Sequence, residues 1–214
     1  MKKIIAIDGP AGAGKSTVSK IVAEKLGYTY IDTGAMYRAV GLKIFESGKP
    51  LTEKFLEEVT EKIQIELDES ARVFVDGEEV TKKIRTPEVS KLASDVSKFG
   101  FVRKKLTELQ RKMAEKGKVI MDGRDIGTQV LPNADLKIFL TASLEERSRR
   151  RFDELTAKGQ QVKLSEIEKE IAARDKQDSE RKIAPLKKAD DAILLDTTNL
   201  KIEEVVEKIL ENAR

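Results

Sequence analysis

The sequence contains no cysteine, no histidine and no tryptophan, and the first two absences exclude whole classes of chemistry. Without cysteine, disulfides, thiolate catalysis and cysteine-built zinc sites are excluded, and this composition fits the reducing cytoplasm. Without histidine, acid–base catalysis would fall to carboxylates or lysines. No segment approaches the roughly 18 consecutive apolar residues of a membrane span. We therefore expect a cytoplasmic protein with no membrane partner.

Charged residues, by contrast, are abundant. They make up 37% of the 214 residues, against about 25% in an average globular protein. The two signs nearly cancel, leaving a formal net charge of +3, whereas a nucleic-acid-binding protein would carry a dominant basic face or tail. We therefore expect no nucleic-acid partner. The length predicts one domain with room for a small insert, and we expect a monomer.

Short apolar segments alternate with amphipathic ones along the chain, which predicts an α/β fold. The expected strands are residues 3–7, 28–31, 118–121, 136–140 and 192–195. The expected helices are residues 15–26, 35–47, 86–98, 102–116, 143–158, 164–181 and 202–213. This order predicts a five-stranded parallel sheet with helices on both faces.

Residues 64–80 break this order, because their apolar residues alternate with a period of two around turns at 68–71 and at Asp76-Gly77. The pattern predicts a small antiparallel β insert, which we expect to pack as a mobile flap. The predicted organisation is a single domain with a core, an insert and a lid. These parts are residues 1–62 with 100–214, about 63–99, and about 147–163.

A phosphate-binding loop follows the first expected strand. The G-x-x-x-x-G-K-[ST] pattern is complete in Gly9-Pro10-Ala11-Gly12-Ala13-Gly14-Lys15-Ser16-Thr17. In such a loop, backbone N–H groups surround phosphate oxygens and the following helix adds its positive dipole end. We expect ATP here, with Lys15 at the β- and γ-phosphates and Ser16 on Mg²⁺. The alternative, a plain glycine-rich turn, is disfavoured by the flanking strand and helix patterns.

Two charged clusters follow expected strands. Residues 32–38 place Asp32, Thr33 and Arg38 after the second strand, where a helix cap with a solvated arginine is the alternative interpretation. Residues 122–127 end the third strand, and Asp122 there has the position of a Walker-B carboxylate, which holds Mg²⁺ directly or through water. Open parallel sheets bind ligands at this edge.

Two more clusters lie on expected helices. Arg174, Asp178 and Arg181 are spaced to share one helical face, although an ordinary ion-pair ladder would have the same spacing. Arg147, Arg150 and Arg151 also share a face. They could form a basic surface patch, or a lid whose arginines stabilise a phosphoryl group in transfer.

With these motifs, the chain resembles the bacterial cytidylate kinases, nucleoside monophosphate kinases related to adenylate kinase. The match runs nearly end to end, and its most specific parts are DGRDIGT at 122–128 and the R…D..R…APL pattern at 174–186. Thr33 stands where serine is common in the family and keeps the hydroxyl. The resemblance implies Mg²⁺-dependent transfer of the ATP γ-phosphoryl group to CMP and dCMP, with Ser16 and Asp122 near the metal.

The resemblance also assigns roles by position. It implies that the acceptor's phosphate is bound by Arg38, Arg124 and Arg181, and the ribose by Arg174 and Asp178. It also implies that the base is bound by Ser94, Arg103 and Asp125, and that Thr33 lies in the substrate site. The transferring group would be stabilised by Lys15, Arg124, Arg181, Arg147 and Arg151. The chemistry of cytosine agrees, because its O2 and N3 accept hydrogen bonds from an arginine while its amino group donates to a carboxylate or hydroxyl.

Two alternatives remain on the sequence alone, and a third is disfavoured by a missing motif. Another small-molecule kinase with this scaffold would take UMP, AMP or a metabolite alcohol as the acceptor. A regulatory GTPase would need an Asn-Lys-x-Asp motif, which the sequence lacks. A non-enzymatic nucleotide-binding module would bind ATP without acceptor-dependent turnover.

Overall fold

The computed structural model describes residues 3–68 and 70–214. The strands are β1 (Ile4–Asp8), β2 (Thr29–Asp32), β3 (Ile65–Leu67), β4 (Val73–Val75), β5 (Glu78–Glu79), β6 (Val119–Gly123), β7 (Leu136–Thr141) and β8 (Ile193–Asp196). The α-helices are α1 (Lys15–Leu26), α2 (Thr33–Ser47), α3 (Glu53–Lys62), α4 (Pro87–Val96), α5 (Gly100–Ala114), α6 (Leu144–Ala157), α7 (Leu164–Glu180) and α8 (Ile202–Ala213). A 3₁₀ turn spans Lys83–Arg85, and a short π-helix spans Ile126–Val130.

The larger sheet confirms the predicted architecture. Within the described residues it has five parallel strands in the order β2-β6-β1-β7-β8. The central strand β1 pairs with β6 from Ile4–Val119 to Asp8–Gly123, and with β7 from Ile5–Leu136 to Asp8–Phe139. Strands β1, β6 and β7 are apolar and mostly buried, as expected for the inner strands of such a sheet. In the edge strand β8, Ile193 and Leu194 are exposed. The carboxyl ends of the strands meet at one edge, where β1 runs into the phosphate loop.

The smaller sheet confirms the predicted antiparallel insert and adds a third short strand to it. Its order is β3-β4-β5, with Ile65 opposite Val75 and Phe74 opposite Glu79. Asp76 and Gly77 both have positive φ, 51° and 85°, as a tight two-residue hairpin turn requires. The mobility of this β insert stays a prediction.

The described residues form two compact units. The first contains the chain up to Tyr28 together with Gly117–Arg214, and the second is Thr29–Lys116. The predicted insert, about 63–99, lies inside the second unit, which also includes α2, α3 and α5. The insert belongs to this larger unit because the two share a hydrophobic core. Ile65, Val73 and Val75 of the small sheet are buried in one cluster with residues of these helices.

Helix α3 was not predicted, although its sequence carries the usual signals. Thr52 caps its start by accepting a hydrogen bond from the Phe55 N–H at 3.3 Å. Leu56 is buried on its inner face. As for membrane spans, the described helices include none that is both long and apolar enough to cross a bilayer.

Candidate active site

The phosphate loop joins β1 to α1, and its glycines are required by its backbone. A Cβ on Gly9 would lie 1.9 Å from the backbone oxygen of Leu140 in β7, so no larger residue fits there. Gly12 and Gly14 have φ of 73° and 84°, in the left-handed region that favours glycine. The loop is therefore a closely packed concave turn that ends at the amino end of α1, where anions bind readily.

Lys15 and Ser16, at the start of α1, face different partners. The Lys15 Nζ is buried and donates to the Pro10 carbonyl at 2.7 Å. Burial, together with the positive charge of Arg124, lowers the pKa of the Lys15 amine well below its ordinary value. The Ser16 hydroxyl donates to Asp122 Oδ2 at 2.9 Å. Thus the structure brings together the predicted Ser16–Asp122 pair, which offers the oxygen ligands that Mg²⁺ prefers.

Four charged residues of the first unit form one ion-pair network. Arg124 Nε donates to Asp178 Oδ2 at 2.8 Å, and Arg181 lies 3.6 Å from Asp178 Oδ1. Arg181 also donates to Asp125 Oδ1 at 3.1 Å. The side chains of Arg181, Asp125 and Asp178 are no more than 8% exposed. The structure therefore joins the two predicted clusters, one after β6 and one at α7, into a single buried group.

The arginines decide the charge state of Asp178. Burial alone would raise the pKa of this carboxyl, but Arg124, Arg174 and Arg181 outweigh burial and hold the pKa below its usual range. Asp178 is thus ionised at neutral pH. Arg181 was predicted to be the last residue of a helix over 164–181. Helix α7 instead ends at Glu180, and Arg181 is the residue that follows it.

Asp8 is a buried carboxylate that sequence reasoning missed. It accepts hydrogen bonds from the N–H groups of Ile126 and Gly127 at 2.8 and 2.7 Å, at the start of the π-helix. Burial raises the pKa of Asp8 to about 6, although these two bonds act in the opposite direction. The only available signal was an acidic residue at the end of an apolar strand.

The three arginines predicted to share a face of α6 have separate partners. Arg147 is buried and donates to the carbonyls of Ala11 and Ala142 at 2.8 and 2.9 Å. Arg150 donates to the Thr197 hydroxyl at 3.0 Å. Arg151, which is 42% exposed, pairs with Glu154 on the same helix at 2.7 Å. Arg147 thus donates a hydrogen bond to the phosphate loop, and a Cβ on Gly14 of that loop would lie 4.0 Å from Nη1 of Arg150.

In the second unit, Asp32 organises the start of α2. It caps the helix by accepting from the Ala35 N–H at 2.9 Å, as the alternative interpretation of this cluster expects, and it pairs with Arg38 at 2.8 Å and Arg85 at 3.3 Å. Arg38 is only 16% exposed, so it is not the solvated arginine of that interpretation. Burial opposes ionisation of Asp32, but the two arginines and the capping bond hold its pKa below the usual range. Thr33, the first residue of α2, is buried. Arg85 was not predicted as a site residue.

Of the remaining predicted residues, Arg174 lies on α7 in the first unit, and Ser94 and Arg103 lie in the second unit. Arg103 on α5 is buried, with its guanidinium 5.6 Å from the centre of the Tyr37 ring and a bond of 3.4 Å to the Ser97 carbonyl. Ser94 on α4 is half-buried, and its carbonyl accepts from the Ser97 hydroxyl at 2.8 Å. Ser97 thus links Arg103 to the helix turn that carries Ser94.

Comparisons with known proteins show which family the chain belongs to. The family model described as cytidylate kinase matches residues 5–214. A relative from Caldicellulosiruptor bescii named cytidylate kinase is 58% identical over 216 residues, which cover 99% of this chain and 96% of the relative. A second, from Carboxydothermus hydrogenoformans, is 56% identical over 97% of this chain and 95% of the relative.

Among solved structures, the shikimate kinase of Bacteroides thetaiotaomicron has a TM-score of 0.53 at 16% identity, and the match covers 99% of this chain and 98% of that one. At this identity the likeness shows the fold alone. The sequence matches are far stronger and span nearly the whole chain. The chain therefore belongs to the cytidylate kinase family.

Proposed function

We propose that the protein transfers the γ-phosphoryl group of ATP to CMP and dCMP, which yields ADP with CDP or dCDP. The observation that carries this proposal is the hydrogen bond of 2.9 Å from the Ser16 hydroxyl of the phosphate loop to Asp122, which precedes Arg124 of the arginine network by two residues. A donor site for a triphosphate thus adjoins guanidinium groups suited to a second phosphate. Family membership supplies the substrate class.

ATP binds, in this proposal, through residues 9–17. The loop N–H groups and Lys15 surround the phosphates. Bringing the anionic phosphates beside Lys15 favours its charged form, which offsets the effects of burial and of Arg124. Ser16 and Asp122 would hold Mg²⁺, since both present oxygen ligands. When bound, the metal neutralises charge on the phosphates.

The acceptor's phosphate would be bound by Arg38, Arg124 and Arg181. An oxygen of this phosphate attacks the γ-phosphorus in line with the departing ADP oxygen. No strong general base is needed, because a monophosphate with a second pKa of about 6 is already largely ionised at neutral pH. Arg124, Arg181 and Lys15 stabilise the charge on the transferring group, and Arg151 joins them from the lid.

The nucleoside would be recognised by the remaining polar residues. Arg174 and Asp178 bind the ribose, while Ser94, Arg103 and Asp125 read the base. A carboxylate at Asp125 accepts from the cytosine amino group, whereas the O4 of uracil would face it with a second acceptor. That mismatch costs on the order of 1–3 kcal/mol, which corresponds to a preference for CMP over UMP of roughly 5-fold to 150-fold.

The test is ADP release from ATP with CMP, dCMP, UMP or AMP as the acceptor. We expect fast release with CMP and dCMP, slower release with UMP, and little with AMP. Equal or faster turnover of AMP or UMP would replace the proposed substrate with another acceptor on the same scaffold. ATP binding with no acceptor-dependent release would indicate a nucleotide-binding module.

A further inference from the structure

Both backbone groups of Ala11, in the phosphate loop, are bound by side chains from the helices that follow β7. Asp175 Oδ1 on α7 accepts from the Ala11 N–H at 3.0 Å. Arg147 Nη1 on α6 donates to the Ala11 carbonyl at 2.8 Å. Arg147 and Asp175 also form a short ion pair with each other. The three residues thus make a closed ring of contacts, which we call the Ala11 clamp.

The packing around the clamp makes this arrangement rigid. Arg147 Nε donates to the Ala142 carbonyl at 2.9 Å, which fixes the orientation of its guanidinium. A Cβ on Gly12 would lie 3.1 Å from both the Cβ and the carbonyl oxygen of Arg147, so α6 is in tight contact with the loop. Ala11 also packs with the buried Ile167 and Ile171 of α7. The loop is therefore attached to α6 and α7 by polar and apolar contacts together.

We propose that Asp175 is a positioning residue for the triphosphate, acting through the Ala11 clamp to hold the phosphate loop in its binding shape. The proposal rests on the proposed use of this loop for ATP. Without the clamp, the loop would have to be ordered when the nucleotide binds, and that ordering weakens affinity. Arg147 then acts through the loop rather than on the transferring group, which changes the role that the sequence suggested for it.

A purely electrostatic role and a positioning role of Asp175 predict opposite changes in ATP affinity when its carboxylate is removed. If its carboxylate acted only as a negative charge near the triphosphate, removing it would tighten ATP binding. If it acts by holding Ala11, removing it leaves the Ala11 N–H without that acceptor and weakens ATP binding. Asp175→Asn keeps an acceptor oxygen but loses the ion pair with Arg147, so its effect should be smaller than that of Asp175→Ala.

The experiment measures the Kd of ATP by calorimetry without acceptor, and then the KM of CMP at saturating ATP. We expect about a tenfold rise in the ATP Kd for Asp175→Ala and about a threefold rise for Asp175→Asn. The KM of CMP should stay within twofold of the wild type. Asp153→Asn, an exposed carboxylate on α6, is the matched control and should leave both constants unchanged.

An ATP Kd within twofold of the wild type in folded Asp175→Ala, or a tighter one, overturns the proposal. If Asp175→Ala does not fold, Asp175→Asn decides by the same measurement, together with amide hydrogen exchange at Ala11. Faster exchange at Ala11 with a weaker ATP Kd supports the clamp, and unchanged exchange with unchanged Kd contradicts it. Because ATP binding is measured without CMP, failure of CMP turnover in the wild type would overturn the proposed function separately.

Discussion

The two units hold their arginines in different ways. In the first unit, Arg124 pairs with Asp178, and Arg181 pairs with both Asp178 and Asp125. Three of these four side chains are at most 8% exposed. In the second unit, Asp32 alone pairs with two arginines, and one of them, Arg85, is 47% exposed. The first arrangement is a buried, mutually neutralised network, and the second is a partly solvated cluster around one helix cap.

This difference separates the expected effects of substitution. Removing one member of a buried network leaves another charge in a low-dielectric environment without its partner, which is strongly destabilising. Removing an exposed partner is nearly neutral, because water replaces it. We therefore expect changes in the first unit to affect folding and turnover together, and changes at the exposed arginine of the second unit to leave folding intact.

Arg181→Ala should have the largest effect. An arginine that stabilises a transferring phosphoryl group contributes roughly a thousandfold or more to its rate, so kcat/KM for CMP should fall by about that factor. Most of the ATP affinity should remain, since Arg181 is placed on the acceptor. Steady-state kinetics and ATP calorimetry measure the two quantities. Unchanged turnover of CMP would remove Arg181 from the site.

The matched control for Arg181→Ala is Arg149→Ala. Arg149 lies on α6, is 58% exposed and pairs with Glu145 on the same helix. Its loss removes the same charge from the protein without touching the network, so kcat/KM should stay within twofold of the wild type. An equal loss in both variants would show that net charge, rather than position, carries the effect.

Asp178→Asn tests the buried network by stability. The substitution keeps the shape of the side chain but removes the negative charge between Arg124 and Arg181. We expect the free energy of unfolding of the free protein to fall by about 3 kcal/mol, as measured by urea titration at neutral pH. A change below about 0.5 kcal/mol would mean that solvent, rather than Asp178, compensates these arginines.

Asp8 should make the stability of the first unit pH-dependent. Because its pKa is about 6 in the folded protein against an ordinary 3.8, its stabilising contribution is fully present below 3.8 and is lost as the pH rises through 6. The wild type should therefore lose about 2 kcal/mol of unfolding free energy relative to Asp8→Asn between about pH 4.5 and pH 7. Parallel stability curves for the two proteins would contradict the raised pKa.

Arg85→Ala should have the smallest effect. Arg85 is half exposed, and Asp32 keeps both Arg38 and the Ala35 N–H after its removal. The unfolding free energy should change by less than about 1 kcal/mol. A loss as large as that of Asp178→Asn would show that the second unit also relies on a complete network, which would erase the difference between the two units.

Local patterns in the sequence predicted much of the fold. The five strands of the larger sheet follow from apolar segments, and α1 and α8 lie at the predicted residues 15–26 and 202–213. The need for glycine at positions 12 and 14 of the phosphate loop could also be predicted from the sequence. It arises from the backbone conformation of these two residues themselves and not from a distant contact.

Features that depend on distant contacts were not predictable. The extent of the second unit is set by a hydrophobic cluster that joins the small sheet to helices before and after it. Asp175 lies 164 residues from Ala11 in the sequence, and the sequence pattern does not distinguish it from other acidic residues on the charged helix α7. Arg103 was assigned by resemblance alone, since composition and spacing give it no special character.

The most direct test of the account is the ratio of kcat/KM for CMP to that for UMP, in the wild type and in Asp125→Asn. An amide can donate to the uracil O4, whereas a carboxylate only accepts. We predict a ratio of roughly five or more in the wild type, falling to near one in the variant. Effects of the lost Asp125–Arg181 pair on turnover are common to both substrates and cancel. A wild-type ratio near one, or a ratio that the substitution leaves unchanged, would contradict the account.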